Sequence, residues 1–119
     1  LNITHLIVLG HSSCGGINSC FNYFSKKNEI SNKGESFIKS WLEILRSSYN
    51  SLDKSLDEQK QIKTLEKNAV LVSLQNLLTF PFIKSSVLKE KITLHGLWHE
   101  IHTGNLFHYD SKLKDFKII

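Results

Sequence analysis

A short apolar run near the start of the chain constrains the fold more strongly than any other feature. Residues 3–9 are mainly Ile, Leu and Val, and Gly10 ends the run. A run of this length that stops at a glycine is typical of a strand buried on both faces of a parallel sheet. The residues that follow it are His11, two serines, Cys14 and paired glycines at 15 and 16.

Three later segments carry apolar residues at helical spacing. They are a stripe from Ile17 to Phe24, a second stripe in residues 37–45, and a longer pattern over about residues 56–79. Pro81 is expected to end the third helix, because proline disfavours helical geometry at the residue before it. Residues 47–57 are rich in Ser, Asn and Asp, and they predict a connection.

The last third of the chain predicts a hairpin. Residues 92–100 alternate like a strand, a turn containing Gly104 follows, and residues 106–109 return as a second strand. The tail after Asp110 is weakly patterned. This order predicts an α/β fold with a mostly parallel sheet, flanking helices and a C-terminal hairpin. Because one strand precedes the helices, its partner strands are expected from residues upstream or from another chain.

Composition narrows the class of protein. The 119 residues suit one domain, and 40% hydrophobic and 22% charged residues are typical of a globular chain. The net charge is +4, but the lysines are scattered beside acids, which argues against a nucleic-acid partner. No apolar run approaches the roughly 18 residues that span a membrane. Two cysteines form no disulfide framework, so we expect reduced thiols and a cytoplasmic location.

His11 and Cys14 lie where the predicted strand ends and the next helix begins. Ligands of open α/β sheets gather beyond the carboxyl ends of strands, and the helix dipole favours the thiolate of Cys14. Imidazole nitrogen and thiolate sulfur are ligands that zinc prefers, and the glycines at 15 and 16 leave N–H groups open to a small anion. The alternative is a buried cysteine that acts as a small hydrophobe. Two ligands are also too few for a catalytic zinc, which usually takes three protein groups.

The remaining cysteine and histidines favour simpler roles. Cys20 lies on the apolar stripe of its helix, so core packing is expected. His95, His99 and His102 could suggest a second metal cluster. In a strand, however, His95 and His99 share a face while His102 falls beyond them near the turn, so surface or packing roles are favoured.

Two segments of the sequence resemble one known protein family. The stretch "THLIVLGHSSCGGI" closely resembles the segment of β-class carbonic anhydrases in which a strand delivers a histidine and a cysteine to zinc. The stretch "EKNAVLVSLQNLLTFPFIKSSVLKEKITLHGLWHEIHTGNLFHYD", residues 66–110, is similar to that family's long helix, Pro-containing turn and Thr-Gly hairpin. Together the two segments cover most of the chain in the order that the family has.

The resemblance implies a site and an activity. It implies that His11 and Cys14 bind Zn²⁺, and that the N–H of Gly15 faces the pocket for CO2 or bicarbonate. It implies reversible hydration of carbon dioxide to bicarbonate and a proton, because zinc lowers the pKa of its bound water toward about 7. It also implies a mostly parallel sheet and a homodimer or higher homo-oligomer, with active sites at subunit interfaces.

The chain departs from the family in what it lacks. Members supply a further zinc cysteine and an Asp–Arg dyad from an upstream Cys-x-Asp-x-Arg motif, which is absent from this sequence. We therefore expect residues 1–119 to be the C-terminal part of a single domain, inactive alone, with its catalytic dyad elsewhere. His99 stands where some members have a tyrosine that holds a regulatory bicarbonate, so that site is not expected. Hydrolysis of a CO2-like substrate such as carbon disulfide, and a non-catalytic remnant, remain as alternatives.

Overall fold

The computed structural model describes residues 2–25 and 35–119, without the side chains of residues 35–38, which carry part of the second helical stripe. The strands are β1 His5–His11, β2 Thr93–His99, β3 Leu106–Asp110 and β4 Asp115–Ile118. The helices are α1 Gly15–Ser25, α2 Glu35–Glu43, α3 Arg46–Asn50, α4 Glu58–Leu77 and α5 Pro81–Leu88.

The four strands form one sheet in the order β1-β2-β3-β4. β1 and β2 are parallel, with His11 opposite His99, whereas β2–β3 and β3–β4 are antiparallel. The α/β class and the C-terminal hairpin are confirmed, and β1–β2 is the parallel pair of the described chain. The expectation that β1 takes its partners from outside these residues is wrong, because the helices between them return β2 alongside it.

The burial predicted for β1 is also wrong. Its residues alternate between exposed and partly buried, and Ile7 and Leu9 are 56% and 59% exposed. The reason is that α4 packs on one face of β1 and β2, and no described element covers the other face. β1 is also the edge strand of the described sheet, so one side of its backbone is unpaired there.

Two strand glycines allow α4 to lie close to the sheet. A Cβ atom on Gly10 would come within 2.6 Å of a Val70 methyl group, and one on Gly96 would come within 2.9 Å of Leu74. A larger residue at Gly10 would force the stiff Val70 side chain or α4 itself to shift, whereas at Gly96 the flexible Leu74 side chain would have to move. The contact at Gly10 immediately precedes His11, and it therefore fixes the end of β1 against the helix.

The predicted helices are present with shifted ends. α4 begins after Asp57, whose side chain accepts a hydrogen bond from the N–H of Lys60 at 2.8 Å. Pro81 begins α5 rather than ending α4, because proline suits the first turn of a helix. The predicted connection at 47–57 contains most of α3, and the weakly patterned tail contains β4.

The core lies in two clusters. The first packs α1 and α2 against α4 and includes Cys20, which is fully buried, so its predicted packing role is confirmed. The second joins Val70, Trp98 and Phe116 between α4 and the sheet.

Among the described residues, no single helix has both the length and the apolar composition needed to cross a membrane. Only α4 and α5 taken together meet these two criteria, and a 93° bend separates them.

Candidate metal centre

A tight turn at residues 12–14 joins β1 to α1. Ser13 has a φ angle of +54°, in the left-handed region that costs a non-glycine residue about 1 kcal/mol or more. This conformation turns the chain sharply at the end of β1. As a result His11, the last residue of the strand, and Cys14, the residue before the helix, line the same cavity.

The imidazole of His11 is oriented by its own turn. Its Nδ1 lies 2.8 Å from the carbonyl oxygen of Ser12. A carbonyl only accepts hydrogen bonds, so Nδ1 carries the proton and a neutral ring keeps its lone pair on Nε2. That is the tautomer in which a histidine binds a metal through Nε2.

Cys14 is held through its backbone. Its carbonyl oxygen accepts hydrogen bonds from the backbone N–H of Asn18 at 2.9 Å and from the Asn18 side chain at 3.0 Å. Its own N–H donates to Oε2 of Glu66 on α4, at 3.3 Å. The thiol is free and half-buried, whereas the thiol of Cys20 is free and fully buried.

The cavity that His11 and Cys14 share, here called the His11–Cys14 cavity, has a volume of about 240 Å³. Its polar side chains are those of His11, Cys14, Glu66 and Ser73. The rest of its lining is apolar or glycine: Val8, Leu9, Gly10, Ile17, Ala69 and Val70. The cavity therefore combines one nitrogen donor and one sulfur donor with walls that suit a small apolar molecule.

Glu66 is a buried carboxylate beside these donors, and the sequence reasoning missed it. It is 2% exposed, and burial raises the pKa of its carboxyl group above the ordinary value. Its Oε1 and the indole Nε1 of Trp98 are buried and form no hydrogen bond of good geometry within the described chain, although the indole interacts weakly with the carboxylate. A signal was available, because Glu66 lies four residues from both Ile62 and Val70 and therefore on the apolar face of α4.

A second buried carboxylate anchors the turn to β2. Glu100 accepts a hydrogen bond from the hydroxyl of Ser12 at 2.7 Å and pairs with Lys63 at 3.0 Å. The Ser12 hydroxyl also accepts the N–H of Ile101 at 2.8 Å. The hydrogen bond from Ser12, followed by those from Lys63 and His102, lowers the pKa of Glu100 to about 2. Ser12 and Glu100 were also missed, since 88 residues separate them in sequence.

Other predicted residues lie outside the His11–Cys14 cavity. Gly15 is exposed at the start of α1, and a Cβ atom there would meet nothing within 4 Å, so packing does not require glycine. His95 is not in a cluster with His99 and His102. Instead its ring nitrogens lie 3.0 Å from His5 and 3.3 Å from His108.

The donor set of the described chain fits part of a zinc site. His11 and Cys14 offer an imidazole nitrogen and a thiol sulfur, two of the ligand types that zinc takes. No group of three His, Cys, Asp or Glu residues in ranges 2–25 and 35–119 is arranged to hold a metal ion. The described residues therefore suit two of the ligands, and a complete site needs at least one more.

The two thiols are expected to differ sharply in reactivity. Burial, followed by the negative charge of Glu43, raises the pKa of Cys20 to about 11, so the reactive thiolate is scarce there at neutral pH. Iodoacetamide should therefore modify the half-buried Cys14 at least 10-fold faster than Cys20, because burial reduces both the thiolate fraction of Cys20 and the access of the reagent to it. Peptide mass spectrometry over a time course measures both rates. Faster modification of Cys20 in the folded protein would contradict the burial of its side chain.

Comparisons with known proteins agree on one family. Residues 1–106 match the family described as carbonic anhydrase. Beta carbonic anhydrase 3 of Arabidopsis thaliana is 35% identical over 98% of this chain and 44% of its own length. The carbonic anhydrase of Synechocystis is 29% identical over 98% of this chain and 42% of its own length. The chain thus spans less than half the length of these curated relatives.

Solved structures share the fold. The β-carbonic anhydrase CcaA superimposes with a TM-score of 0.83 at 28% identity, covering 98% of this chain and 52% of that one. A tetrameric β-carbonic anhydrase of Sordaria macrospora gives a TM-score of 0.67 at 18% identity over 89% of this chain and 52% of that one, a likeness of fold alone. With the family match over residues 1–106, these likenesses make the chain a member of the carbonic anhydrase family, of the β class.

Proposed function

We propose that the protein containing this chain hydrates carbon dioxide reversibly to bicarbonate and a proton, with Zn²⁺ as its cofactor. The observation that carries the proposal is that His11 and Cys14 line one small cavity whose remaining walls are mainly apolar. Carbon dioxide is small and carries no charge or dipole, so such walls suit it. Membership of the carbonic anhydrase family supports the same reaction.

His11 and Cys14 would hold the metal together with ligands that the described chain does not supply. Bound zinc supplies a Lewis acid that makes water nucleophilic near neutral pH. The Ser12 carbonyl keeps the proton of His11 on Nδ1 and so presents Nε2. The hydrogen bonds at Asn18 and Glu66 fix the backbone of Cys14. Apolar side chains such as Val8 and Val70 limit water around the reacting carbon.

The remaining components of the proposal concern the whole protein. Gly15 is proposed to present its N–H to bicarbonate, and the protein is proposed to be a homo-oligomer, as the tetrameric structural neighbour is. Arg46, the sole arginine of the sequence, is in an ion pair with Glu43 on the surface. An Asp–Arg dyad that orients the nucleophile would thus have to come from outside these 119 residues. We therefore propose that the chain alone is inactive.

Assays on two forms of the protein test the proposal. Carbon dioxide hydration and zinc content are measured for the 119-residue chain and for a longer form that includes the adjoining coding sequence. The longer form should contain zinc and accelerate hydration, whereas the chain alone should bind zinc weakly and remain at the uncatalysed rate. A zinc-loaded longer form without activity, or one that hydrolyses carbon disulfide instead, would overturn the substrate. Full activity of the chain alone would overturn its proposed dependence on further residues.

A further inference from the structure

Glu66 is a buried charge for which the packing of the fold gives no reason. It lies in the middle of α4, 2% exposed, on the face that packs against β1 and β2. Burying a carboxylate is costly unless hydrogen bonds or an opposite charge compensate it. Leucine or methionine at this position would fill the same space without that cost. The contacts of the two carboxylate oxygens must therefore explain why a glutamate occupies this position.

The contacts of Glu66 are few compared with those of the other buried carboxylate. Glu100 has an ion pair with Lys63 and hydrogen bonds from Ser12 and His102. Glu66 accepts one hydrogen bond of good geometry, the 3.3 Å contact from the Cys14 N–H, and interacts more weakly with the indole of Trp98; none of the ion pairs of the described residues involves it. A group kept only for stability would be better satisfied.

The unsatisfied part of Glu66 lies beside the proposed metal centre. The residue lines the His11–Cys14 cavity and also a neighbouring cavity of about 330 Å³. Its Oε1 and the indole Nε1 of Trp98 on β2 are both buried, and they interact only weakly with each other. Glu66 thus contacts the backbone of Cys14, lines the cavity that contains His11, and lies beside Trp98 of the sheet.

Resting on the proposed function, we infer that Glu66 is a positioning residue for the Cys14 sulfur. Its Oε2 holds the backbone N–H of Cys14, while the carbonyl of the same residue is held by Asn18. Both polar groups of the Cys14 backbone are therefore restrained, and the side chain enters the cavity in a defined direction. Groups that orient the ligands of a metal in this way typically change metal affinity 10–100-fold, about 1.4–2.8 kcal/mol.

This role predicts opposite effects on stability and on metal binding. Glu66→Leu removes a buried, poorly satisfied carboxylate and leaves little empty space, so the metal-free protein should melt no lower than the parent. The same variant should bind zinc 10–100-fold more weakly, because Cys14 loses its anchor. Glu66→Gln keeps an oxygen that can accept the Cys14 N–H, and it should retain affinity within a few-fold of the parent.

The experiment measures metal affinity without reference to catalysis. Zinc affinity is determined by chelator competition in the longer form of the protein, and the thiolate and ligand-field bands of the Co²⁺-substituted protein report the geometry at Cys14. Gln61→Leu is the matched control, since Gln61 is also a buried polar residue of α4 but bonds the Leu56 carbonyl. It should leave both readouts unchanged.

The outcomes separate this inference from the proposed function. Weaker zinc binding and altered Co²⁺ bands in Glu66→Leu, with rescue in Glu66→Gln, would support the positioning role. Unchanged affinity and bands in Glu66→Leu would overturn it and leave zinc binding itself intact. Equal losses in Gln61→Leu would also overturn it, because they would reflect damage to α4. A parent protein that binds no zinc would overturn the proposed function first, before any variant is compared.

Discussion

Replacing Glu100 with alanine is expected to lower the free energy of unfolding by about 3 kcal/mol. The carboxylate is 6% exposed and connects the β1–α1 turn, the end of β2 and α4 through Ser12, His102 and Lys63. The alanine variant leaves the Ser12 hydroxyl, itself 2% exposed, without its acceptor. Urea denaturation at neutral pH, monitored by tryptophan fluorescence, measures the change.

The same carboxylate is expected to make stability depend on acid pH. Its pKa in the folded protein is about 2, below the ordinary value of 4.5, because Ser12 and Lys63 favour the charged form. A depressed folded pKa means that the stabilisation is complete above about pH 4.5 and is lost as the pH falls toward 2. Glu100→Gln has no charge to lose, so its stability should fall less over that interval than that of the parent.

A control at Lys63 separates the hydrogen bond from the ion pair. The Lys63 side chain is 54% exposed, so its pairing with Glu100 is screened by water. Lys63→Gln should therefore cost less than about 1 kcal/mol. A cost equal to that of Glu100→Ala would mean that the ion pair, rather than the Ser12 hydrogen bond, stabilises the turn.

The parts of this molecule that follow from local sequence were predictable. The stripe from Ile17 to Phe24 repeats with the period of a helix, and α1 forms there. The apolar run to Leu9 likewise indicated β1, although the strand continues through the predicted break at Gly10 and ends at His11. These features depend on neighbours within one or two turns of chain, which a sequence pattern records directly.

Features that depend on distant segments were not predictable in the same way. The partner of β1 is β2, about 90 residues later, and nothing in residues 3–9 identifies it. An apolar run gives the strand, but the elements available to cover it decide how deeply it is buried. β4 was also not recognisable from its sequence. It is a short segment in which only Phe116 is buried, and it forms a strand because it pairs with β3.

The residues of the candidate site differ in the same way: those close together in sequence were predictable, and those far apart were not. His11 and Cys14 are close in sequence, so their juxtaposition could be inferred from the strand end. Glu66 and Glu100 are 52 and 88 residues away in sequence from Cys14 and Ser12, the turn residues they contact. An acidic residue is also usually expected on the solvent-exposed surface. Only the helical phase of Glu66, on the apolar face of α4, gave a readable sign of burial.

Removing either proposed ligand is expected to have the largest effect on metal binding. Structural zinc sites bind with about 10–16 kcal/mol, which is roughly 2.5–4 kcal/mol for each of four ligands. His11→Ala or Cys14→Ser should therefore weaken zinc binding about 100- to 1,000-fold, with hydration of carbon dioxide falling toward the uncatalysed rate. Chelator competition and a stopped-flow hydration assay on the longer form of the protein measure the two effects.

The second cysteine provides the control for this prediction. Cys20→Ala removes a thiol that is fully buried in the core and has one weak contact, 3.9 Å to the Leu42 carbonyl. It should leave zinc content and hydration rate close to those of the parent, because its sulfur packs among apolar side chains. Zinc should also protect Cys14 from iodoacetamide in the parent. If Cys14→Ser keeps its zinc while Cys20→Ala loses it, the sulfur ligand is that of Cys20 and the proposed role of Cys14 is wrong.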